Sequence, residues 1–194
     1  MSRRPSLQLR DDVTLRPLTA EDAPLMCRWV LDPAVANDMG LQAAPSLERT
    51  RSWIEQATSD ETFLARAILL GGRHVGNVVL DRIDRRLACA RLSIYVGESD
   101  QQSGGVGQTA IFQVLIEAFD RLQLNKVFVT VHCRNVASLK MCSKAGFVVE
   151  GILRDEFVLN GERLDLFYMG LLAPEFARLR SAMQESGGLR REVS

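Results

Sequence analysis

Histidine is scarce in this chain. Only His74 and His132 occur, and the four cysteines, Cys27, Cys89, Cys133 and Cys142, include no C-x-x-C pair. Zinc sites draw on closely spaced Cys and His ligands, so no metal centre is expected. The cysteines read as reduced, mostly buried thiols of a cytoplasmic protein. Long apolar runs are missing too. The longest, such as Ala67 to Leu70, fall far short of the roughly 20 residues that cross a bilayer. The opening MSRRPSLQLRDD is basic but lacks the apolar stretch of a secretory signal, and it reads as a loose tail. Neither sign of charge is in excess. Lys plus Arg and Asp plus Glu both number 24, for a net charge of zero. That balance calls for neither nucleic acid nor an anionic membrane as partner. No internal repeat and no low-complexity stretch is found.

What remains is 194 residues, 46% hydrophobic and 25% charged, enough for one globular domain with its own core. Alternation from Val13 to Leu18 suggests an opening strand. Ala23 to Leu31 reads as a helix stopped by Asp32-Pro33, and Ser46 caps a second through about Ala57, with Trp53 and Ile54 inward. Three strands follow: Phe63 to Leu70, His74 to Ile83 and Leu87 to Val96, joined by Gly71-Gly72 and Asp84-Arg85-Arg86. Short hairpin-type turns make this an antiparallel meander. After Gly105 the period changes. Val106, Ala110, Ile111, Val114, Leu115, Ala118, Phe119 and Leu122 form a helical stripe over four turns. Lys126 to His132 is a β-branched strand, and Asn135 to Ala145 a helix closed by Gly146. Val148 to Leu159 and Arg163 to Leu171 flank Asn160-Gly161, a strong hairpin signal, and Glu175 to Gln184 is a short terminal helix. The order β-α-α-β-β-β-α-β-α-β-β predicts an α/β (α+β) domain: a single mixed, mostly antiparallel sheet flanked by helices. Residues 1–12 are assigned to a flexible tail, 13–172 to the domain, and 173–194 to the terminal helix and a disordered end.

One loop carries chemistry. Gln101 to Ala110, QQSGGVGQTA, joins a strand to the best helix of the chain. Gly104, Gly105 and Gly107 let the backbone turn tightly where the first helical N–H groups lack acceptors, so the loop suits an anion such as a phosphate. A ligand-free glycine turn is the plain alternative. A P-loop is excluded, because no G-K-[ST] follows. The G-G-x-G spacing behind a meander also argues against a dinucleotide-binding loop.

The residues Gln102-Ser103-Gly104-Gly105-Val106-Gly107 match the Q/R-x-x-G-x-G/A signature of the GNAT acetyltransferases. About 25 residues on come Asn135-Val136-Ala137-Ser138 and then Lys144-Ala145-Gly146-Phe147, similar to that superfamily's N-x-x-[AS] and K-x-G-F. Arg16-Pro17-Leu18, the Trp29 to Val35 stretch and the Asn160-Gly161…Asp165 hairpin resemble a particular branch. It includes the ribosomal-protein N-terminal and nucleotide-amino-sugar N-acetyltransferases. The resemblance runs from about Val13 to Leu172 and implies the acyl-CoA N-acyltransferase fold, with acetyl-CoA as co-substrate and no metal.

It further implies that Ser93 to Val96 splays from Lys126 to His132. Pantetheine amides would pair with Ile94, Tyr95 and Val96 in the manner of an added strand. The pyrophosphate falls to Gln102, Ser103, Gly104, Gly105, Val106, Gly107 and Gln108. Asn135 and Ser138 would meet the pantetheine arm, though Asn135 is equally a helix cap, and Lys140 and Lys144 would approach phosphates unless they are plain solvated charge. The amine would attack the thioester directly, aided by positioning and by N–H groups facing the oxyanion. A lysine-like ammonium, with a pKa of about 10.4, must first lose a proton. Where family members often carry a Glu base, this chain has Arg91, which cannot serve. Glu98 is the nearest substitute, with Asp155 and Glu156 further candidates, and each also reads as a surface carboxylate. Where many members have a Tyr acid, Cys142 stands, readable as acid or as core.

The expected acceptor is the primary amine of a small molecule such as an amino sugar, polyamine or antibiotic, bound between the first two helices, their connection near Asn37 to Ala44 and the last hairpin. A peptide N-terminus is the alternative. A CoA-binding module without catalysis is a reading of another class, motivated by Arg91 and Cys142. A monomer or homodimer is expected.

Overall fold

The computed structural model describes residues 9–32, 35, 46–98 and 104–185. The elements are β1 (Val13–Pro17), a single 3-10 turn (Ala20–Asp22), α1 (Ala23–Val30), α2 (Leu47–Ser59), β2 (Leu64–Leu70), β3 (Arg73–Asp84) and β4 (Cys89–Val96). There follow α3 (Val106–Ile116), β5 (Lys126–His132), α4 (Val136–Lys144), β6 (Val148–Leu159), β7 (Glu162–Leu172) and α5 (Ala173–Glu185). The predicted order is met. All seven strands form one sheet, β1-β2-β3-β4-β5-β7-β6. Every neighbouring pair is antiparallel except β4–β5, which is parallel.

Strand alternation divides the buried residues between two faces. On one face Ile68, Val78, Leu80, Leu92, Val127, Val129, Met169 and Leu171 pack against α3, α4 and α5 through Ile111, Leu115, Cys142 and Phe176. On the other, Ala65, Ala67 and Val79 receive α1 and α2 through Met26, Trp29, Ile54 and Ala57. Ile54 faces inward as read, whereas Trp53 is only partly buried.

Local signals explain the joints. Ser46 accepts from the Arg49 N–H and starts α2, and Asn135 accepts from the Ser138 N–H and starts α4. Gly146 closes α4 at φ +96°, and Asn160-Gly161 turns the last hairpin with φ of +51° and +82°, both positive as a type I′ turn requires. Three details depart from the sequence reading. The turn between β3 and β4 takes Arg85 to Ala88, so β4 begins two residues later than expected. After Ile116 the helix widens into a π turn over Glu117–Arg121, where Glu117 receives Arg66 from β2 at 2.9 and 2.6 Å. In β6 the register slips between Leu153 and Phe157, with Asp155 at φ +56°: a bulge that no turn residue announces. At the N-terminus, Leu9 packs on the core and the Arg10 N–H donates to Thr109 Oγ1 at 3.1 Å. Among the described residues no helix is long and apolar enough to cross a membrane.

Candidate active site

The parallel junction is short. Cys89 pairs with Lys126, Ala90 with Val127 and Arg91 with Phe128, and there the ladder stops. Beyond it, β4 remains paired to β3 as far as Val96, and β5 remains paired to β7 as far as His132. The two central strands therefore diverge. Between them lies a notch whose β4 edge, Leu92 to Tyr95, has no ladder partner on the β5 side among the described residues. An unpaired strand edge is a row of backbone donors and acceptors open to another extended chain. Ile94 and Tyr95 lie on it and Val96 follows at its end, each partly exposed.

Helix α3 begins beside this edge. Gly104 and Gly105 adopt φ of +92° and +87°, and Gly105 caps the helix without a side-chain bond. The first intrahelical bond returns from the Thr109 N–H to Gly105 O at 2.9 Å. The N–H groups of Val106, Gly107 and Gln108 precede it, so none has an acceptor within the helix, and the helix dipole adds positive potential there. Gly107 lies close against α4 and β4. A Cβ at that position would stand 2.9 Å from Met141 Sδ on α4 and 3.8 Å from Ile94 Cδ1 on β4. Loop, notch edge and α4 thus meet at one place. Gln102 and Ser103 lie outside the described residues.

Asn135 sits at the near end of α4, its side-chain oxygen accepting from the Ser138 N–H at 2.9 Å. Lys140 and Lys144 are both exposed. Lys144 is in the last turn, about 13 Å along the axis from Asn135. The two ends of the helix are not brought together. Cys142, 2% exposed, belongs to the main core, and burial pushes its thiol up to about 11, against a smaller lowering by Ser138. It keeps its proton at neutral pH.

Arg91 is at the apex of the notch, on the last rung. Its guanidinium binds both oxygens of Asp81 on β3, at 2.8 and 2.7 Å. The two charges cancel, so neither a free base nor a free cation arises from this pair. Glu98, just past β4, is half-buried and engaged by α1. Its Oε1 accepts from Trp29 Nε1 at 2.9 Å and from Arg28 at 3.0 Å. Asp155 and Glu156 lie in the β6 bulge. They line an open depression of about 570 Å³ with Ile152, Leu153 and Arg154. A single strand segment supplies all its walls, so it is no cleft.

Sequence reasoning missed a buried polar chain beneath α1. Asp22, 6% exposed, accepts two bonds from Arg16 at 2.8 and 2.6 Å and one from the Thr19 N–H at 2.9 Å. His74 Nδ1 lies 3.1 Å from the same carboxylate, close enough for charge attraction but not aligned as a hydrogen bond. His74 Nε2 faces Gly76 O at 3.0 Å and Asn77 Oδ1 at 2.9 Å. Asn77 in turn donates to Tyr95 Oη at 2.5 Å. Burial raises the Tyr95 phenol above its usual range despite that bond, so it stays a neutral spacer on the β4 edge. The available signal was cross-strand register, which sets Asn77 opposite Tyr95.

Comparison with known proteins agrees with this geometry. The family model for the acetyltransferase (GNAT) domain matches residues 12–148. The uncharacterized N-acetyltransferase p20 of Bacillus licheniformis is 25% identical over 171 residues, 85% of this chain and 95% of that protein. The spermidine N(1)-acetyltransferase of Vibrio cholerae is 29% identical over 102 residues, 53% of this chain and 58% of that protein. The solved structure of spermidine N-acetyltransferase from Vibrio cholerae in complex with CoA and spermine shares the fold, with a TM-score of 0.81 at 22% identity over 87% of this chain and 99% of that one.

Proposed function

Since the chain belongs to the GNAT acetyltransferase family, we propose that it transfers the acetyl group of acetyl-CoA to the primary amine of a small molecule. The observation that carries this reading is the notch: a parallel pair that parts after Arg91 and Phe128, with the glycine-led start of α3 beside it. The site suits a phosphopantetheine carrier on the chain's own terms. Gly104 and Gly105 at positive φ turn the backbone into α3 so that its first N–H groups lead the helix. The β4 edge at Ile94, Tyr95 and Val96 would pair with the pantetheine amides. The N–H groups at Gly104, Gly105, Val106, Gly107 and Gln108 would hold the pyrophosphate, with Asn135 and Ser138 flanking the arm.

When bound, acetyl-CoA supplies an activated acyl group with a thiolate leaving group that needs little protonation. The chain supplies position and fixed dipoles. Because Arg91 and Asp81 occupy one another and Trp29 and Arg28 engage Glu98, the acceptor's proton leaves to solvent on this reading. Cys142 acts as core. Cys142→Ala is therefore expected to lower turnover less than about tenfold, measured by thiol release. A loss of about 10²–10⁴ would give it the acid's role.

A polyamine amine is the acceptor favoured by the spermidine acetyltransferase among the relatives, with amino-sugar and antibiotic amines the other small-molecule candidates. A peptide N-terminus is the competing acceptor. The first test is a thermal-shift titration with acetyl-CoA against ATP and NAD. Ligand at 100 times its dissociation constant should stabilise by about 2.7 kcal/mol, or roughly 5–10 °C. No shift from a folded sample would remove the cofactor assignment. With binding in hand, a panel of small amines and short peptides separates the two acceptor classes.

A further inference from the structure

We propose that Glu98 and Trp29 form a latch that fixes helix α1 against the end of β4, with Glu98 serving as its hydrogen-bond acceptor. The inference rests on acetyl-CoA lying along β4. Trp29 is 3% exposed. Its ring covers Gly97 so closely that a Cβ there would fall 2.1 to 2.6 Å from the indole atoms. Its edge meets His74 at 5.0 Å and Tyr95 at 6.0 Å between ring centres. The ring therefore touches Tyr95, on the open edge, and Gly97, the residue that follows Val96.

The polar end of the same side chain completes the fit. A buried indole N–H needs an acceptor, and Glu98 Oε1 provides it at 2.9 Å. Arg28, the preceding residue of α1, donates to the same oxygen at 3.0 Å. Two donors from one helix thus converge on one carboxylate oxygen at the tip of β4. On the strand side, the Gly97 N–H donates to Val75 O at 2.8 Å, tying that tip to β3. Helix α1 is the wall on which the acceptor is expected to lie, and the β4 edge is the wall for the carrier. The latch sets the distance between them. Glu98 is on this account a positioning residue, acting through Trp29.

Calorimetry of acetyl-CoA binding to the full chain tests this with three variants, each checked for fold by circular dichroism. Glu98→Ala removes the acceptor, Trp29→Phe keeps a ring but removes the N–H, and Glu98→Gln keeps an oxygen that accepts both bonds but takes up no proton. Glu98→Ala and Trp29→Phe are expected to weaken binding about tenfold each, because binding must then also restore the position of α1 against β4. The double variant is expected to be no worse than the weaker single one. Glu98→Gln is expected to bind within about threefold of wild type. Unchanged binding by folded Glu98→Ala or Trp29→Phe overturns the latch, and so does a Glu98→Gln as weak as Glu98→Ala. Wild-type chain that binds no acetyl-CoA overturns the cofactor reading itself.

Discussion

Gly105→Val is expected to weaken acetyl-CoA binding at least a hundredfold, about 2.7 kcal/mol, while the folded domain persists. Gly105 sits at φ +87° as the cap of α3. A β-branched residue is a steric outlier there, so valine would force the turn to rearrange. That rearrangement would displace the first N–H groups of α3, which follow it directly. Both effects strike the proposed pyrophosphate cradle, and neither touches the core behind it. Gly71→Ala is the control. Gly71 also has positive φ, +56°, with nothing within 4 Å of a Cβ, so that variant pays the backbone strain of about 1 kcal/mol without touching the site. Calorimetry on both variants decides the matter. Normal binding by Gly105→Val would place the phosphates elsewhere.

The second large effect concerns stability. Asp22→Ala is expected to cost about 3 kcal/mol, because it leaves Arg16 and the Thr19 N–H without their buried partner. For a domain of this size that is roughly 6–12 °C in melting temperature. The wild-type carboxylate also gives the loss a pH signature. Burial alone would raise its pKa, but the bonds from Arg16 and Thr19 and the nearby His74 outweigh burial and hold it at about 2, against 3.8 when free. A depressed carboxyl stabilises the fold fully above its free value and loses that contribution as pH falls through its folded value. About 2 kcal/mol is therefore present at neutral pH and fades from about pH 4 down towards 2. Urea unfolding of wild type and Asp22→Ala at pH 7 and near pH 2.5 should show the gap narrowing. A gap independent of pH would assign the loss to packing instead.

What the sequence made legible was local. The Asn135 and Ser46 caps, the left-handed Gly146 and the Asn160-Gly161 turn each depend on a few neighbouring residues, and each stands where the residue types put it. The strand and helix order followed from the change of period at Gly105. Partners across space were another matter. Trp29 and Glu98 are 69 residues apart, and no periodicity joins a helix residue to a strand tip. Asp81 and Arg91 stand opposite each other only because the register shifts between Asp81 and Asp84, so the pair cannot be read from the turn alone. The turn was assigned to Asp84-Arg85-Arg86, and the register was lost with it. The bulge in β6 was hidden for a similar reason, since Arg154, Asp155 and Glu156 carry none of the glycine or proline that usually marks a break. For the site, the glycine loop and the open strand edge were foreseen, while the engagement of Glu98 and Arg91 by neighbours was not.

The three rungs between β4 and β5 have a bearing on how the chain folds. Strands β1 to β4 join their neighbours in antiparallel fashion, and β5, β7 and β6 do the same among themselves. Only the Cys89–Lys126, Ala90–Val127 and Arg91–Phe128 pairs connect the two groups through the sheet. A parallel pairing requires a long crossover, here through α3, and such non-local closure is the slow part of assembly. The cleft is therefore also the joint between two groups of strands that the helices on the main core face bridge. A ligand lying across it acts as a splint on a seam that the sheet itself holds by three pairs.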